Sequence, residues 1–434
     1  YNLEDKNIVK VEIDLFPIGQ NEGEGHVIKE LKLSNNEELD TDFVLSKSNI
    51  NKITKFNEFN PKDIRIEQRI DLTDKNSYMF KSWNSDNAPI LPLIQIEEDS
   101  DLSRKLWIHT NSIAERIDLS NKKSLEVFFD KFESFPLLNN WESYLSEEII
   151  TNSRFTLGEK KEAISLCIHL NRDHEITNWS FHLTLVKCPF IVENQHLDAL
   201  IKRKSSTRIT SRFLKPIKEY IKDLDNILEI SKQFRKRQLQ NGKFEISKQI
   251  NNIKSLDEIF VHNPVEYTKE FLEPLSSKDC QTYLSPIIYE ADLIWFNHAK
   301  KYGLNNASYI SQDLDYINVT EIIKYSELLE SNIELNDDGN LTFRQIVELF
   351  DDDKKKRILH KLLVNVLKEN EIVLISKNLD INDSEKKYIS PWTLPSYDFA
   401  NLMNQYNIYN MIVNGKRSNK SNGNKINIME KDSW

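Results

Sequence analysis

The residues best suited to phosphate chemistry fall in separate stretches of the chain. The first, RIDLTDKNSYMFKSWNSDNAPILP over 69–92, carries Asp71, Asp74 and Asp86 and is followed by Glu97, Glu98 and Asp99. Carboxylates hold a hard divalent cation only when several oxygens converge on one point. These acids are scattered, and solvated loop or strand-end charge is the simpler explanation for them. The second stretch, IKRKSSTRITSRFLKPIKEYIK over 201–222, gathers Lys202, Arg203, Lys204, Arg208, Arg212, Lys215 and Lys218, and Arg235, Lys236 and Arg237 extend it. It reads equally as a phosphate-tracking wall and as a solvated helix face behind a polar loop. The third stretch, TLPSYDFANL over 393–402, sets Tyr397 and Asp398 side by side.

Other chemistries find little support. The nine histidines are dispersed, with His169 and His174 across a strand end and His182 and His196 on separate elements. Cys167, Cys188 and Cys280 lie far apart and form no Cys/His cluster, so neither a disulfide framework nor a zinc site is expected. A reducing, cytoplasmic setting fits that usage. No Ser-His-Asp arrangement, P-loop or dinucleotide fingerprint is present. Phe190, Trp295 and Trp392 could stack on bases, but large aromatics dominate core packing, and core is the more frequent role for each.

The elements that must position these residues divide the chain. At 434 residues, with 39% hydrophobic and 29% charged, the composition is that of a globular protein of two or three domains. No apolar run is long enough to span a membrane. The net charge of −10 argues against non-specific coating of nucleic acid, while leaving room for a basic channel inside an acidic shell. Alternating residues around the Gly-rich turn at 19–25 predict a β-hairpin, and with it a small OB-like barrel over 1–60. Strand-like runs LPLIQI, KLWIHT, AISLCIHL and FHLTLVKC dominate 61–190, with one helix predicted at KSLEVFFDKF. Helical period follows over 211–240, 286–302 and 341–370, and KRSNKSNGNK near the end has linker composition, giving a tail over 416–434.

Taken in order, these blocks resemble the ribonuclease II and ribonuclease R family of processive 3′-to-5′ exoribonucleases. RIDLT resembles the entry to the family's first catalytic motif, especially as written in its cyanobacterial branch. The family then places a short run of aspartates that hold magnesium; a gapless reading puts Lys81, Asn87, Pro89 and Ile90 there. LWIHT resembles the next strand, with Thr110, Asn111 and Ser112 where Ile, Ala and Asp stand. AISLCIHL and VKCPFIVENQHLDALI follow, the latter with Asn194 at the family's tyrosine. FRKRQLQNGKFEI matches the arginine-rich helix end, YEADLIWFNHAKKYG the helix that begins with a glutamate, here Glu290, and YISQ has Ile310 in place of arginine. TLPSYDFANL is similar to Thr-Ser-Pro-Ile-Arg-Arg-Tyr-x-Asp-Leu, with Tyr397 and Asp398 replacing both arginines.

The resemblance implies an α+β ribonuclease II-type catalytic domain over 61–415, with a mixed sheet and long flanking helices. It also implies lost chemistry. Phosphodiester hydrolysis of this kind needs oxygen ligands for the metal. Lys81 places a like charge where a cation should sit, Pro89 and Ile90 offer no side-chain oxygen, and Asp398 repels the phosphate an arginine fork would clamp. The expectation is a catalytically impaired relative binding single-stranded RNA in a retained channel through Lys202, Arg203, Lys204, Arg208, Arg235, Arg237 and Glu290, with no cofactor. An active nuclease with relocated ligands, which would need Mg2+, and a protein-binding scaffold are the alternatives. The family usually adds an OB-fold at the C-terminus, and none is expected here, which would weaken RNA capture.

Overall fold

The computed structural model describes residues 8–15, 23–31, 69–81, 88–98, 103–117, 133–137, 140–203, 212–240, 280–304, 306–311, 323–324, 372–375 and 387–421. The predicted hairpin is present as β1 (Ile8–Leu15) and β2 (Glu24–Leu31), antiparallel and bulged. Gly25 is required at its position, because a Cβ there would lie 2.5 Å from the Glu12 carbonyl oxygen. The rest of the 1–60 barrel lies outside the described residues, as do the helices expected at KSLEVFFDKF and over 341–370.

The centre is a mixed seven-stranded sheet in the order β11-β4-β5-β6-β9-β10-β3. Its members are β3 (Ile70–Asp71), β4 (Ser77–Phe80), β5 (Leu93–Glu98), β6 (Arg104–Asn111), β9 (Lys160–Leu170), β10 (Ile176–Lys187) and β11 (Phe190–Val192). The four inner pairings are antiparallel, while β11 with β4 and β10 with β3 are parallel. A short hairpin, β7 (Phe135–Leu137) and β8 (Asn140–Glu142), precedes β9. Period-two alternation sorts the side chains. Ile94, Ile96, Leu106, Ile108, Ile164, Leu166, Ile168, Phe181 and Leu183 join one core with the helices, each buried aliphatic contributing about 1.5–3 kcal/mol.

The opposite face carries a buried polar strip. Ser77 Oγ donates to Gln95 Oε1 (3.0 Å), His109 Nε2 reaches the same oxygen (3.3 Å), His109 Nδ1 meets Ser165 Oγ (2.8 Å), and Ser165 meets Thr184 (2.6 Å). Complete burial pushes the His109 pKa down to about 3, so the ring is neutral, with one nitrogen donating and the other accepting.

The helices are α1 (Glu147–Ser153), α2 (Asn194–Ile201), α3 (Ile221–Gln240), α4 (Cys280–Tyr302) and α5 (Phe399–Ser421). Period alone placed the start of α3 too early. Residues 212–217 form turns and 218–220 a 3-10 turn, because Pro216 lacks an N–H and restrains its predecessor. The opposite shift occurs in α4, which begins at Cys280 and carries Pro286 inside; the Pro286 carbonyl accepts Gln238 Nε2 (2.9 Å). A small sheet of β12 (Asn306–Ser311), β13 (Ile372–Ile375) and β14 (Lys387–Ile389) pairs Ile310 with Tyr388. Finally, α5 continues to Ser421, into the segment read as tail.

Candidate functional site

The first and third stretches meet. Beyond β4, the Lys81 N–H donates to the Val192 carbonyl (2.8 Å), holding that residue to the sheet edge. Asn87 lies outside the described residues, and the chain resumes with Ala88, Pro89, Ile90 and Leu91, all buried. The Ile90 N–H donates to Ser396 Oγ (2.7 Å) across 306 positions of sequence. Arg154, just after α1, donates to the Ala88 carbonyl (3.3 Å).

The segment before α5 is held by hydrogen bonds on nearly every residue. Trp392 is fully buried in the main core, and its N–H donates to Asp292 on α4 (3.1 Å). The Tyr144 hydroxyl donates to the Pro395 carbonyl (2.5 Å) and also lies 3.1 Å from the Asp398 carbonyl. Ser134 donates twice, from Oγ to the Ser396 carbonyl (2.8 Å) and from its N–H to the Tyr397 carbonyl (2.7 Å). The Tyr397 phenol donates to Glu133 (2.6 Å).

Asp398 immediately precedes α5 and accepts the Asn401 N–H (2.8 Å) and Asn401 Nδ2 (3.0 Å). That is helix N-capping, a role for which Asp is among the preferred residues and arginine is not. Further along α5, Gln405 Nε2 donates to Thr110 Oγ1 and the Asn111 carbonyl (both 2.9 Å), tying the helix to β6.

The electrostatics follow from burial. Asp292 has its pKa held well above the ordinary carboxylate value, first by desolvation and also by the nearby Asp398 charge. Tyr144 and Tyr397 are raised for the same first reason. Among the described residues no group of three His, Cys, Asp or Glu could hold a metal. Asp71 accepts the Thr73 N–H (2.9 Å), Glu97 accepts Gln95 Nε2 (3.1 Å), Glu98 meets Lys222 (2.6 Å) and Asp74 is exposed; Asp86 and Asp99 lie outside the described residues. Among the described residues the family's ligand positions offer no magnesium ligand: the Ile90 amide is engaged, its side chain is packed, and Lys81 and Pro89 bring no side-chain oxygen.

The basic residues separate into two groups. At the end of α2, Lys202 pairs with Asp198 (3.1 Å) and Arg203 with Asp225 near the start of α3 (2.6 Å). Near the end of α3, Arg235 is buried and Arg237 donates to the His174 carbonyl (2.5 Å) with its guanidinium over Phe234. Desolvation lowers the Arg237 pKa, and Glu290 opposes that shift. Glu290 itself accepts Gln238 Nε2 (2.8 Å), so Arg237, Gln238 and Glu290 come together. Asp225 and Arg237 are separated by twelve residues of α3, about 18 Å along the axis. Lys204 and Arg208 lie outside the described residues. Trp295 and Trp392 are core, and Phe190 packs against Tyr220 and His196.

Ser396, Tyr144, Ser134, Glu133 and Arg154 are the residues sequence reasoning missed. Their partners lie far away in the chain and no local pattern marks them; Ser396 alone sat inside a stretch already singled out.

Comparison with known proteins accounts for this architecture. The sequence matches the RNB domain over residues 69–412, and the chain belongs to the RNB domain family. No curated protein matches it. Among solved structures, the apo form of Mycoplasma genitalium RNase R superposes with a TM-score of 0.68 at 14% identity, over 94% of this chain and 62% of that one. RNase R of the same organism in complex with double-stranded RNA gives 0.68 at 14% identity, over 94% and 71%. Yeast Ssd1, described as a pseudonuclease, gives 0.62 at 13% identity, over 93% of this chain and 49% of that one. The chain thus spans less than two thirds of the apo RNase R chain and about half of Ssd1.

Proposed function

We propose that the chain is a non-catalytic RNB-domain protein that binds single-stranded RNA without cleaving it. The observation that carries the first part is the Ile90 to Ser396 hydrogen bond. It seals the place where metal ligands and phosphate-clamping arginines would face each other, with Ile90 only 2% and Ser396 1% exposed. Metal-assisted hydrolysis requires an open, oxygen-lined position for ion and scissile phosphate, and this floor offers packed carbon and engaged amides. The likeness to RNase R structures, including a complex with ribose methylated single-stranded RNA, supports the second part. The dispersed, buried, free cysteines support a reducing, cytoplasmic setting.

A 5′-labelled oligoribonucleotide tests both parts. The expected result is no shortening with Mg2+ or Mn2+, together with binding that weakens as salt rises. Metal-dependent shortening abolished by a chelator would overturn the first part. Binding no stronger than that of an unrelated acidic protein would overturn the second, and would favour a protein-binding scaffold. That second reading draws on the pairing of Lys202, Arg203 and Arg237 with protein acceptors.

A further inference from the structure

Residues 212–240 hold eight Lys and Arg against four Asp and Glu, in a chain whose net charge is −10. The fold sorts these charges by face. The inner side of α3 buries Leu224, Ile227, Leu228, Ile230 and Phe234 against the sheet and α4. Two of the four acids are drawn away from the outer side: Asp223 accepts the Tyr78 phenol (2.7 Å) and Asp225 holds Arg203. Of the three guanidinium groups, Arg235 is buried, Arg237 is turned onto the His174 carbonyl, and Arg212, exposed before the helix, lies over the Phe213 ring. Within α3 the exposed side chains among the described residues are Lys222, Glu229, Lys232 and Lys236, and Lys215 and Lys218 are exposed just before it. Lys218 and Lys222 are four residues apart, as are Lys232 and Lys236, and the ten-residue step from Lys222 to Lys232, at about 3.6 residues per turn, leaves the two pairs on one side of the helix with the exposed Glu229 between them. The span from Lys222 to Lys236 is about 21 Å. The only acids exposed in this segment are Glu219 and Glu229. The Lys222 pairing with Glu98 is solvent-exposed on the lysine side, and such a pair is weak enough to exchange for a phosphate.

We infer that single-stranded RNA is held on this outer lysine row of α3, not over the sealed floor. This rests on the RNA-binding reading above and assigns it a surface. Ammonium groups on flexible stems act as point charges toward phosphate, so recognition is of the backbone and independent of sequence.

The test compares the full chain with a variant carrying Lys218→Gln, Lys222→Gln, Lys232→Gln and Lys236→Gln, using a fluorescein-labelled oligouridylate titrated at several salt concentrations. These side chains are exposed, and matching far-UV circular dichroism and melting curves establish that the variant is folded. The expected result is an affinity loss of at least tenfold and a shallower salt dependence, by about 0.7 in log–log slope per phosphate contact removed. Replacing the same four lysines by Arg should restore binding. A folded Gln variant that binds like the parent, while Arg237→Gln weakens binding, would overturn the inference and leave the RNA-binding reading standing. A parent that binds no RNA would overturn both. Binding of the row to phosphatidylserine vesicles that RNA fails to displace would also overturn the inference, in favour of a membrane surface.

Discussion

The floor formed by 88–91 and 393–398 and the outer face of α3 treat charge in opposite ways. At the floor, polar groups are consumed internally: Asp398 caps a helix, Ser396 receives the Ile90 amide, and Tyr144 spans two carbonyls. On α3 Asp223 and Asp225 are engaged by other elements, while Lys222, Lys232 and Lys236 stay exposed beside the single exposed acid Glu229. A buried charge is stable only when paired and hydrogen-bonded, and on the proposed reading the packed Ile90 and Ser396 leave no place for a bound polyanion. An exposed ammonium costs nothing to keep and retains its long-range attraction. The contrast teaches that on the proposed reading hydrolysis and RNA affinity separate, because affinity depends on accessible positive charge and hydrolysis depends on convergent oxygens.

The strongest way to break the contrast is to put back one carboxylate the family's motif calls for. Ile90→Asp places an acid at a site 2% exposed and should cost about 3 kcal/mol or more, read from urea unfolding. A variant of unchanged stability that gains Mg2+-dependent cleavage would show that the floor is open after all.

Proton linkage sharpens the comparison within the molecule. Asp292 holds its proton more tightly when folded, so its contribution is present below the ordinary Asp value and is lost as pH rises from about 4. Asp292→Asn should flatten that decline. His109 behaves in the opposite sense: its folded pKa falls from 6.5 to about 3, so stability is present above 6.5 and lost as pH falls through that window. His109→Gln should remove this acid-side loss. Denaturant midpoints across pH measure both; a parent profile flat over both windows would contradict the burial of these groups.

Smaller effects test single hydrogen bonds at the floor. Tyr144→Phe leaves the Pro395 carbonyl without its donor and should destabilise by about 1–3 kcal/mol. Asp398→Ala removes the cap of α5 and should cost about 1 kcal/mol. If Asp398→Arg, which matches the family residue, were as stable as the parent, the capping account would fail.

Much of the sheet was legible beforehand because its code is local. LPLIQI, KLWIHT, AISLCIHL and FHLTLVKC became β5, β6, β9 and β10, since β-branched and alternating residues report strand and face over a few positions. Helix ends were less legible, as Pro216 and Pro286 show: the same residue stops regular helix before α3 and is absorbed inside α4, and which happens depends on neighbours packed from elsewhere. The candidate site was legible only as substitutions within a familiar frame. Its hydrogen bonds join Ile90 to Ser396 and Tyr144 to Pro395, and no local pattern encodes pairings so distant.

The sequence by itself determined family, sheet strands and the types of residue at Lys81, Pro89, Ile90, Tyr397 and Asp398, because composition at a motif is a local property. Only the tertiary structure decided that two altered stretches close on each other, and that on α3 Arg235 and Arg237 are engaged while Lys232 and Lys236 stay exposed beyond the Lys222–Glu98 pair. Both outcomes depend on which groups burial forces to find partners, and that is settled by packing between distant elements.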